Sequence, residues 1–139
     1  MPRCEPPTYV YVAAVGAGAA KVGVSNNPRK RVRSLPGGGS VNRLVQSWHR
    51  PFDAFAVEYA TKVALRDMRE HTGTFEYFCA SADHVVAAVE SAITRVESGT
   101  APRSEAARIK DRRVKDLAVI DAFHERLNDP DKMRAFYEW

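Results

Sequence analysis

Cysteine is almost absent. Cys4 and Cys79 are the two present among 139 residues, and neither stands in a CxxC or Cys/His spacing. A disulfide-stapled framework and a thiolate metal centre therefore have no basis, and free thiols in a reducing compartment are expected. Long apolar runs are missing too: none approaches the roughly 20 residues that a membrane helix needs. No apolar stretch follows Met1-Pro2-Arg3-Cys4-Glu5, so no secretory leader is expected. A cytoplasmic protein without membrane contact is the resulting expectation. The most telling absence is of negative charge. From Pro6 to Phe52 there is no Asp or Glu, while the same stretch carries Lys21, Arg29, Lys30, Arg31, Arg33, Arg43 and Arg50. Such a one-sign field suits a polyanion, and nucleic acid is the expected partner.

The rest of the composition is ordinary. The apolar share is 45%, the charged share 27% and the net charge +4, as in a soluble globular domain. The length suits one domain with an appendage. His71, His84 and His124 show no metal-ligand spacing. Gly37-Gly38-Gly39 is followed by neither Lys-Ser nor Lys-Thr, so it is not a phosphate-cradling loop.

Along the chain, Thr8–Val15 is β-branched and aromatic and predicts a strand. Gly16-Ala17-Gly18 signals a turn, and Ala20–Val24 reads as the second strand of a hairpin. Asn27-Pro28 opens a helix, with Asn27 as cap and Pro28 at its first position; Val32 and Leu35 are its core side. Pro36–Ser40 ends it. Val41–Trp48 predicts a third strand. Asp53 is the expected cap of a longer helix with Ala54, Val57, Ala64, Leu65 and Met68 at helical spacing. Thr72-Gly73-Thr74 breaks it. Phe75–Phe78 is a short apolar element of either type. Ser81 caps a helix with Val85, Val86, Val89, Ile93 and Val96 on one face. Residues 98–102 form a linker. Residues 103–139 form a helical extension, one helix reaching about Leu127 and a short one following Asp129-Pro130. The expectation is an α/β (α+β) domain over 8–97, with a small three-stranded antiparallel sheet flanked by helices.

Three features set on this order carry a family likeness. Tyr9-Val10-Tyr11 lies on the first strand and Lys21-Val22-Gly23 on the second. Arg31 follows Gly23 by eight residues on the first helix. Together they resemble the GIY-YIG nuclease superfamily, in the branch of phage and microbial proteins whose second tripeptide begins with Lys. That branch also has a glutamate after an Ala-rich helix start, here Glu58, and a Gly-Glu-Trp-Phe element, here Thr74–Phe78. The likeness covers about residues 8–96. Tyr9 stands where Gly is usual, Lys21 where the second tyrosine is usual, and Lys62 where relatives often carry His.

The resemblance implies a metal-dependent DNA endonuclease. Glu58 would bind Mg²⁺ or Mn²⁺, a hard cation that takes few carboxylates when substrate phosphate is present; alternatively it is a helical glutamate paired with Lys62. Arg31 would hold the scissile phosphate with its planar fork. Tyr11 would orient or deprotonate the attacking water; otherwise it is a strand aromatic in the core. Lys21 would touch a phosphate oxygen, or else guard a strand edge. His49 offers an acid or base near neutrality, or is a surface hydrogen-bonder. Arg29, Lys30, Arg33, Arg43 and Arg50 would bind single- or double-stranded DNA through its phosphates. In the tail, Arg108, Lys110, Arg112, Arg113 and Lys115 alternate with acids and read as a salt-laced surface. Leu117, Ile120, Phe123, Leu127, Phe136 and Trp139 would dock the tail on the domain or make a homodimer. Two other readings stand beside the nuclease: a binding module that has lost cleavage, and a protein-interaction domain using the apolar tail.

Overall fold

The computed structural model describes residues 7–16, 18–36, 38–39, 41–68 and 77–128. The chain runs β1 (Tyr9–Val15), β2 (Ala20–Ser25), α1 (Pro28–Ser34), β3 (Asn42–His49) and α2 (Ala54–Ala64). A 3₁₀ turn (Arg66–Met68), β4 (Tyr77–Phe78), α3 (Ala82–Glu97) and α4 (Glu105–Asn128) follow. The sheet order is β3-β1-β2-β4, with every pairing antiparallel. The mixed α and β class is as expected, but the sheet has four strands where three were predicted. The extra one is the short apolar element: Tyr77 and Phe78 pair with Lys21 and Ala20, whereas Phe75 and Glu76 lie outside the described residues. Two residues are too few for a period to show, so this strand could not be read from its own pattern.

The β1–β2 hairpin closes where expected. Gly16 and Gly18 take φ of +65° and +81°, a region that side chains with a Cβ avoid. Strand alternation then splits the interior in two. Val10, Val12, Ala20 and Val22 face one way, onto α2 and α3, and form the larger core with Val57, Phe78, Val85 and Val89. Tyr11 and Ala13 face the other way and pack under α1 against Val32 and Leu35.

Helix α1 starts as its sequence dictates: Asn27 accepts a hydrogen bond from the Lys30 N–H, and Pro28 fills the first position. Its far end is tied down by Asn42, whose amide donates to the carbonyls of Leu35 and Pro36. Ser81 caps α3 through the His84 N–H, also as expected. Helix α2 departs in two ways. It ends at Ala64, so Ala64 and Met68 are exposed rather than on the core face, and Ala60 and Thr61 are buried in their stead. Asp53 makes no capping hydrogen bond from its side chain.

The cap comes from elsewhere. The Asp111 carboxylate, on α4, accepts from the Phe55 and Ala56 N–H groups at 2.9 Å each. Burial raises the Asp111 carboxyl above its ordinary range, and these two donors pull it partway back. Ala107, Asp111 and Val114 are the buried side of α4, spaced as one helical stripe. Leu117, Ile120, Phe123 and Leu127, expected either to dock the tail on the domain or to make a homodimer, are exposed and not docked. Phe136, Trp139 and the short helix after Asp129-Pro130 lie outside the described residues.

Candidate nucleic-acid interface

The sheet face beneath and beside α1 gathers several of the anticipated side chains. Tyr9, Tyr11, Lys21 and Gly23 share it by strand alternation, and the register sets His49 opposite Tyr9, Ser47 opposite Tyr11 and Tyr77 opposite Lys21. The Tyr9 and His49 rings are in contact, tilted by 33° with centroids 4.8 Å apart. The Lys21 Nζ lies 5.9 Å from the Tyr11 ring centroid and 5.6 Å from that of Tyr77, within cation–π range. Lys21 is not an edge residue, because β4 covers that side of β2.

Tyr11 explains the glycine of Lys21-Val22-Gly23. A Cβ at position 23 would sit 2.5 Å from the Tyr11 Oη and 2.6 Å from Cζ. The missing side chain makes room for the phenol ring, which lies across its cross-strand partner. Tyr11 is 1% exposed and Lys21 2%. His49 is exposed.

Around this face, α1 presents its charge to solvent. Arg29, Lys30, Arg31 and Arg33 are all exposed, as is Arg43 on β3. Val32 and Leu35 hold the helix down. Arg31 and Arg33 in the last turn also complement the negative end of the helix.

Two anticipated residues are placed elsewhere. Arg50 is engaged inside the protein. Its Nε and Nη2 donate to the two Asp53 carboxylate oxygens at 2.8 and 2.6 Å, and its Nη1 donates to Glu97 at 2.9 Å. The Asp53 hydrogen bond and, less strongly, that of Glu97 raise the guanidinium further above its already high range, against the pull of burial. Arg50 thus ties the end of β3 to the start of α2 and the end of α3, with all three of its donating nitrogens engaged by carboxylates. Glu58 is half-buried on α2, with Lys62 Nζ at 3.4 Å. Helix α2 packs against the sheet face opposite Tyr11. Glu58 lines a groove with Lys62, Phe78 and Lys110, and none of Tyr11, Lys21, Arg31 or His49 borders it. The structure therefore brings Tyr11, Lys21 and His49 to one face beside Arg31 and leaves Glu58 apart from them. Among the described residues no group of three or more His, Cys, Asp or Glu side chains is arranged to hold a metal ion.

The family model of the T5orf172 domain matches residues 8–96, more than half of the chain. The chain belongs to the T5orf172 domain family. No curated protein and no solved structure matches it. The T5orf172 match takes in β1 through nearly all of α3, hence the whole sheet, the basic helix and Glu58. It stops before α4, so Asp111 and the α4 wall of the Glu58 groove lie outside the matched residues. No helix among the described residues is long and apolar enough to cross a membrane.

Two placements escaped the sequence reading. Asp111 was counted among the alternating charges of a salt-laced helix. Its signal was its phase: it falls four after Ala107 and three before Val114, on the apolar stripe. Tyr77 belonged to an element of open type, and only the β2 register puts it beside Lys21.

Proposed function

We propose that this T5orf172 domain binds nucleic acid through the basic face of α1 and cleaves phosphodiester bonds with one divalent metal ion, in the manner implied by its resemblance to GIY-YIG nucleases. The observation that supports it is that Tyr11, Lys21 and His49 share the sheet face on which α1 packs, a helix whose Arg29, Lys30, Arg31 and Arg33 are exposed. Phosphates attract such a helix whatever the base sequence. Arg31 offers two parallel donors to a phosphate, which suits the charge that builds on its oxygens. His49 is exposed and in tilted ring contact with Tyr9, so its imidazole is open to give or take a proton at the reacting oxygen. Lys21 sets a positive charge beside the Tyr11 ring, and Gly23 leaves the space that the ring occupies.

The donor set admits a metal only narrowly. Glu58 would hold Mg²⁺ or Mn²⁺ as a lone carboxylate, the rest of the shell coming from water and substrate phosphate. Lys62 has to give way, since its ammonium already neutralises that carboxylate. The ion would supply Lewis-acid polarisation of a phosphoryl oxygen.

A binding module without cleavage is the second reading, and two observations favour it. Tyr11 and Lys21 are buried, and Glu58 lines a separate groove. Incubation of the full chain with labelled plasmid and single-stranded DNA, in Mg²⁺, Mn²⁺ or EDTA, decides between them. Cuts that need the metal support the nuclease; binding without cuts leaves the module.

A further inference from the structure

The groove between α2 and the start of α4 has a volume of about 580 Å³, in the size range of small-ligand clefts. Its walls include the rings of Phe55 and Tyr59, the cations Lys62, Arg66 and Lys110, and one carboxylate, Glu58. Lys110 reaches back from α4 to lie 5.3 Å from the Phe55 ring centroid, so cation and ring surface are presented side by side. Among the described lining residues Lys62 is paired with Glu58, so Arg66 and Lys110 are the excess charge and favour an anion, while the half-buried rings favour a flat π surface. A nucleotide carries both in one unit. A base within a duplex has both faces stacked already, so an unpaired base is the one that a protein ring can take.

We propose that the α2/α4 groove takes one nucleotide of a single-stranded nucleic acid, with its base against Tyr59 and its phosphate toward Arg66 and Lys110. This rests on the reading of the domain as a nucleic-acid binder, and it adds a second contact, separate from α1. One wall of the site, α4, lies beyond the residues that the T5orf172 model matches. It follows that single-strand and duplex affinity depend on different residues.

The test is fluorescence anisotropy of the full chain with labelled oligothymidylate and with a duplex of equal length. Tyr59→Ala should weaken oligothymidylate binding about tenfold and leave duplex binding unchanged. Tyr59→Phe, which keeps the ring, should bind as the parent does. Lys110→Ala should lower the slope of log affinity against log salt by about one for the single strand alone. Thermal melts of each variant separate lost contact from lost fold. The proposal is overturned if Tyr59→Ala and Lys110→Ala bind oligothymidylate like the parent. It is overturned as a strand site if thymidine monophosphate displaces the oligonucleotide as potently as unlabelled oligonucleotide does. A parent chain that binds neither probe at low salt defeats the nucleic-acid reading itself, a different result from retained binding by the groove variants.

Discussion

Replacing Asp111 by Ala should destabilise the domain more than replacing Asp53, although sequence makes Asp53 the cap of α2. The Asp111 carboxylate accepts two backbone N–H bonds of 2.9 Å at the start of that helix. Losing a cap costs about 0.5–2 kcal/mol, and hydrogen bonds to a charged group lie toward the upper part of such ranges. Against this stands the cost of burying the carboxylate, which shows in its raised pKa. A net loss of about 2 kcal/mol results. With an unfolding entropy of about 2 cal/mol/K per residue, a chain of this size should lose about 7 °C in Tm. Asp111→Asn keeps one acceptor oxygen without the charge and should fall between. Asp53→Ala gives up a partly exposed ion pair with Arg50, worth about 1 kcal/mol or less. Calorimetry of the three variants, with amide exchange at Phe55 and Ala56, checks the ranking. A Tm for Asp111→Ala equal to that of the parent, or a greater loss for Asp53→Ala, would refute the capping argument.

Other outcomes follow from the same geometry. Gly23→Ala should cost about 1–3 kcal/mol by crowding the Tyr11 phenol, and should cost far less in a Tyr11→Ala background; equal losses in both, by urea denaturation, would show that the ring is not what the Cβ meets. In single-turnover cleavage, Arg31→Ala should slow the reaction by about 100-fold or more, and Glu58→Gln should stop it while DNA binding persists; a fully active Glu58→Gln variant removes the metal assignment. Lys21→Ala should slow cleavage if the ammonium supports the Tyr11 face, and an unchanged rate would leave it a packing residue. Truncation after Gly99 should keep cooperative unfolding but lower Tm by more than Asp111→Ala does, since Ala107 and Val114 are lost as well; non-cooperative melting would make α4 part of the core.

Much of this arrangement was legible because local physics decides it. The hairpin with its glycine turn, the Asn27-Pro28 helix start and the Ser81 cap depend on neighbours within a few residues, and the acid-free stretch needs no fold to be seen. The partners of Arg50 and Asp111 and the placement of Glu58 were not legible, although the Glu58–Lys62 pair was. Arg50 reaches Glu97 at 2.9 Å, and Asp111 reaches Phe55, contacts that exist only after the helices have packed. One pattern thus hid two fates: in the acid-free segment Arg29, Lys30 and Arg33 are exposed on α1, while Arg50 is a clamp. Glu58 shows the same limit, for helical spacing allows a pair with Lys62 but does not say which side of the sheet the helix will cover.

The most direct measurement is the salt dependence of DNA affinity for the parent and for the triple variant Arg29→Ala, Lys30→Ala, Arg33→Ala. Phosphate contacts release counterions, so parent affinity should fall steeply with salt, and the variant should weaken for all sequences alike with its slope reduced by about three at most. Affinity that ignores salt, or a triple variant that binds with the parent's affinity and slope, would contradict the assignment of the α1 face to nucleic acid.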